Sequence, residues 1–77
     1  MNFNALKRDL DAAVAARERV DEEIIRLDQQ RKVAEASGDG AAADALWRNI
    51  EEAQSRQRDR INDVNAIRRA MGLSEYG

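Results

Sequence analysis

Seventy-seven residues allow one small domain, with 43% hydrophobic and 36% charged side chains, a net charge of −2 and a pI near 5.1. The lack of Cys and His removes disulfides, ordinary zinc sites and the commonest general base, while the lack of Pro and the three aromatic residues suit long exposed helices over sheets. No uncharged run is long enough for a membrane span or a secretory leader, so the cytoplasm is the expected location.

From Phe3 the seam positions step Phe3, Leu6, Leu10, Ala13, Arg17, Val20, Ile24, Leu27, Arg31 and Ala34, at intervals alternating three and four. This is a heptad seam, and it predicts a first helix over about 3–37. Glu22 with Arg26 and Asp28 with Lys32 are acid-before-base pairs at i, i+4 that support it.

The stretch SGDGAAAD follows at 37–44. Within it Gly38-Asp39-Gly40-Ala41-Ala42-Ala43 fits the pattern G-x-G-x-x-A of dinucleotide-binding loops, but that fingerprint follows a strand, and here a charged helix precedes it. Gly38 instead suits the left-handed position that closes a helix, and Asp39 suits the cap that opens the next one. Gly38, Asp39 and Gly40 are therefore the expected hinge.

The seam resumes at Ala43, Leu46, Ile50, Ala53, Gln57, Arg60, Val64, Ile67 and Met71, predicting a second helix over about 41–71 and a tail over 72–77 that contains Tyr76. Glu52 and Arg56 form another supporting pair, and Arg68 and Arg69 sit where basic residues favour a helix end. Facing positions sum to 77 throughout: Leu6 with Met71, Leu10 with Ile67, Ala13 with Val64, Ile24 with Ala53, Leu27 with Ile50, Ala34 with Ala43. The two seams meet in register only if the chain reverses between Gly38 and Asp39. The expected fold is all-α, an antiparallel two-helix coiled-coil hairpin forming a single domain over 1–77. With Ala at several seam positions such a hairpin is marginal alone, so oligomerisation or a partner is expected to complete a bundle.

The seam has faults. Arg17 faces Arg60, Arg31 faces Leu46, and Gln57 lies opposite Val20. Arg17 and Arg60 either lay their methylenes along the seam and reach Asp21 and Asp63, or receive a partner's carboxylate. The flanks also differ. On one, Glu23 is placed to meet Arg56 and Gln30 to meet Asn49. The other brings Val14 opposite Ile61, with Trp47 nearer the hinge and Ile25 beside it, an apolar edge that a two-helix seam does not need.

Catalytic constellations are not evident. The acid pairs Glu22-Glu23 and Glu51-Glu52 diverge around a helix, and Ser37, Ser55 and Ser74 have no base beside them. No cofactor, metal or small-molecule substrate is expected. The function expected is that of a non-enzymatic protein-interaction module, either a subunit or adaptor of a larger assembly or a small protein-binding inhibitor, of a size that suits a phage or mobile element. Val14, Ile25, Trp47 and Ile61, with Arg17 and Arg60, are its candidate partner-binding residues, for a protein partner or a second copy. The alternative is a small dimeric nucleic-acid regulator using Arg56, Arg58, Arg60, Arg68 and Arg69 of the second helix. Asp59 and Asp63 interrupt that arginine series, and the acidic pI opposes a phosphate-binding footprint.

Overall fold

A computed structural model describes residues 3–73 as two helices packed side by side, α1 over Phe3–Ala36 and α2 over Gly40–Ala70, with no strand among the described residues. The molecule is a rod of 55 × 15 × 14 Å. Its Cα radius of gyration of 16.4 Å exceeds the roughly 11–12 Å of a compact domain of this length.

The reversal occupies residues 37–39 and is built by hydrogen bonds that the sequence makes available. Gly38 has φ of 73°, a left-handed conformation that side chains resist. Its N–H donates to the Glu35 carbonyl at 3.1 Å, and the Asp39 N–H donates to the Ala34 carbonyl at 2.9 Å. These two bonds close α1 in a Schellman motif. Asp39 then opens α2, its Oδ1 accepting from the Ala42 N–H at 3.1 Å. Gly40, expected within the hinge, is already the first residue of α2. The turn therefore needs one left-handed glycine.

α2 ends in the same way. Gly72 has φ of 75°, its N–H donates to the Arg69 carbonyl at 3.0 Å, and the Leu73 N–H donates to the Arg68 carbonyl at 2.8 Å. The tail positions Ser74 to Gly77, with Tyr76, lie outside the described residues.

Between the helices runs a thin core. Ala34, Ala43, Ile50, Ala53 and Val64 are buried, and Val64 is the largest side chain fully enclosed. The predicted counterparts Ala13, Ile24 and Leu27 are half-buried, as are Leu6, Leu10, Val20, Leu46, Ile67 and Met71. Alanines at the seam let the helix axes come close but leave little side-chain area to bury, so the larger residues stay partly wet. Phe3, assigned to the seam by periodicity, is 61% exposed. Its counterpart by register is Ser74, beyond the end of α2, which leaves the ring at the rim of the rod.

Candidate functional site

The two flanks of the seam are built from different chemistry. On one, Arg56 of α2 donates both Nη atoms to the Glu23 carboxylate of α1 at 3.0 and 3.1 Å. The guanidinium is held in its charged form above its ordinary range, chiefly by this hydrogen bonding. Gln30 and Asn49, expected to meet on the same flank, are both exposed.

By heptad register the candidate edge belongs to the other flank. Val14 and Ile61 are half-buried beside the seam, Trp47 is 44% exposed and Ile25 is 58% exposed. Trp47 is engaged within the hairpin by Arg31, which the sequence marks only as a seam fault, and by Glu35. The Arg31 guanidinium carbon lies 4.5 Å from the Trp47 ring centroid, a cation–π stack. The Trp47 Nε1–H donates to Glu35 Oε1 at 3.4 Å. Arg31 in turn donates to Asp28 Oδ1 at 2.7 and 3.1 Å and to Glu35 Oε2 at 2.8 Å. Lys32 Nζ lies 3.3 Å from the second Asp28 oxygen. The Asp28 carboxyl is held below its ordinary value, chiefly by the hydrogen bond from Arg31 and then by that from Lys32, and Arg31 is held above its own by the Asp28 carboxylate.

Arg31 looked like a seam fault in the sequence. It is instead the centre of a network that fixes one face of the Trp47 ring. The signal was present: Arg31 and Trp47 lie at the same level by register, and Asp28 and Glu35 sit three before and four after Arg31 on the same side of α1.

The two seam arginines reach the acids proposed for them. Arg17 Nε lies 3.9 Å from Asp21 Oδ2, and Arg60 Nη1 lies 3.3 Å from Asp63 Oδ2. Asp21 also accepts from Gln57 Nε2 at 2.6 Å, which ties the polar position opposite Val20 to the edge containing Val14 and Ile61. Elsewhere, a shallow depression of about 440 Å³ lined by Arg26, Gln29, Gln30 and Val33 lies on another face of α1.

Among the described residues no helix is long and apolar enough to cross a membrane. Compared with known proteins, the chain matches no family model, no curated protein and no solved structure.

Proposed function

We propose that this chain is a non-enzymatic helical-hairpin interaction module that works as a subunit or adaptor of a larger protein assembly. The observation that carries the reading is the asymmetry of the rod: one flank is closed by Glu23 and Arg56, while Val14, Ile25, Trp47 and Ile61 gather on the other beside a core largely of alanine. The accessible surface supports it. The chain exposes 5359 Å², about 600 Å² more than the roughly 4,700 Å² of a compact monomer of its mass. Trp47 is prepared for contact, since Arg31 and Glu35 fix the indole in one orientation and leave 44% of the residue open. A pre-ordered aromatic gives up little entropy on association.

Two of the five α2 arginines considered for nucleic-acid binding favour this reading over it. Arg56 and Arg60 already face Glu23 and Asp63, so a phosphate would have to displace a carboxylate from each.

The test is site-specific photo-crosslinking in the native host. A photoreactive residue at Ile25 should capture a protein, and one at Gln30 on the opposite flank should not. Equal capture from both positions, or none from Ile25, would overturn the reading.

A further inference from the structure

We infer that the occupant of the Val14 and Trp47 face is a second copy of this chain, related by a two-fold axis parallel to the helices, with both turns at the same end. The inference rests on the interaction-module reading and names its partner. In this arrangement α1 of one copy lies over α2 of the other, with the two helices antiparallel.

The charges on this face carry the inference. Going outward from the seam, the charged and apolar residues include Asp11, Val14, Glu18, Ile25 and Lys32 on α1, and Asp44, Trp47, Glu51, Arg58, Ile61 and Arg68 on α2. A two-fold axis along the rod allows no sliding, so residues of the two copies meet at the levels that the hairpin register already sets. At those levels Glu18 faces Arg58 of the second copy, Lys32 faces Asp44, Asp11 lies near Arg68, Val14 meets Ile61, and Ile25 faces Glu51. Each pair occurs twice. Among the described residues Asp11, Glu18, Asp44 and Arg58 make no ion pair within their own chain, and all four are exposed. Glu23 and Arg56 on the opposite flank satisfy each other. Matched charges across a contact select the partner and its orientation.

The antiparallel arrangement is the natural competitor. From Val20 to Gln57 the chain carries nine acidic against five basic side chains, whereas residues 3–19 and 58–73 carry five acidic against eight basic. Opposed rods would therefore gain a long-range attraction. That attraction is screened beyond about 8 Å at physiological salt, so adjacent pairs decide. The antiparallel register that joins Val14 to Ile25 also sets Asp11 against Asp28, Glu18 against Asp21 and Lys7 against Lys32, like charge on like. The parallel two-fold replaces these contacts with the opposite-charge pairs above; the acids it brings together, Asp28 near Glu51 and Glu35 near Asp44, involve two carboxylates that Arg31 already holds. A face 55 Å long and 15 Å wide also offers on the order of 800 Å², one side of a standard interface.

Charge exchange tests the pairing. Glu18→Arg alone and Arg58→Glu alone should each weaken self-association about tenfold or more, because each places like charges together twice. Mixing the two single variants should restore association as a heterodimer, since both crossing pairs are then opposite in sign. Both positions are exposed, and unchanged circular dichroism of each variant separates lost association from lost folding. The orientation is read by spin labels on Ser37→Cys, a unique thiol in this chain. Parallel turns lie side by side, whereas antiparallel rods hold them on the order of 50 Å apart at 1.5 Å per residue. A wild type that sediments as a monomer at every accessible concentration, single variants that associate as wild type does, or labels at the longer separation would overturn the inference. A monomer whose Ile25 crosslinker still captures another protein would overturn this dimer and leave the interaction-module reading in place.

Discussion

Arg31 of α1 stacks on Trp47 of α2, its guanidinium carbon 4.5 Å from the ring centroid, while the same guanidinium is held by Asp28 and Glu35. One arginine thus links the helices near the turn and sets the aromatic that the candidate face presents. Arg31→Met keeps an unbranched apolar stem over the ring and removes the guanidinium with its three hydrogen bonds. Trp47 emission is expected to move to the red and its quenching by iodide to rise, with the urea midpoint of the hairpin lowered. Unchanged emission would mean that Arg31 does not orient the indole.

The two glycines of SGDG are expected to respond in opposite directions. Gly38 sits at φ of 73°, so Gly38→Ala should destabilise the hairpin by about 1–2 kcal/mol even though no atom crowds the added Cβ. Gly40 is helical and equally uncrowded, and Gly40→Ala should stabilise by roughly 0.5 kcal/mol. Thermal unfolding of the two single variants checks the split. Losing Gly38 should also favour a continuous helix and extended oligomers, visible by light scattering.

Core and flank should differ in worth. Val64 is fully enclosed, and Val64→Ala should cost about 2 kcal/mol, combining lost transfer energy with the cavity left behind. Arg56→Ala on the flank removes a bridge whose side chains are 50% and 33% exposed, so its effect should be smaller and fade with added salt. Denaturant unfolding at low and high salt distinguishes them. A larger loss at Arg56 than at Val64 would show that ion pairing, and not the thin core, holds the rod together.

Acid should act through Asp28. Its carboxyl titrates below the ordinary 3.8 in the folded chain, because Arg31 and Lys32 donate to the charged form. The folded state therefore binds this proton less readily than the unfolded state does. The associated stabilisation is fully present above the unfolded value and is lost as pH falls through the lower, folded one. Asp28→Asn should flatten the acid limb of the stability profile below about pH 4 and leave its neutral region with little slope. Urea midpoints across that range, beside carbon-detected titration of the Asp28 carboxyl, give the measurement.

Arg17 and Arg60 hold facing positions by register, each with a nearby acid at 3.9 and 3.3 Å. Replacing both with Leu should stabilise the isolated hairpin on the order of 1 kcal/mol, since like charges at a half-wet layer give way to apolar contact. Denaturant unfolding measures this, and sedimentation reports whether association survives. Unchanged stability with association lost would assign the arginines to the partner's carboxylate instead.

Periodicity determined most of the architecture. The alternation of three and four defined two seams, and the constant sum of facing positions brought them together only through a reversal at Gly38 and Asp39, because helical geometry leaves few other ways to join them. Glu23 with Arg56 and the reach of Arg17 to Asp21 were legible for the same reason, since level and side follow from position number. Tertiary structure decided what depends on where helices stop and how side chains bend. It placed Gly40 inside α2, because Asp39 supplies the cap one residue earlier. It left Phe3 at the rim, because α2 ends before its counterpart. It also turned Arg31 from a fault in the seam into the group that orients Trp47, since a long flexible cation can choose among acids and an aromatic face only once both helices are in place.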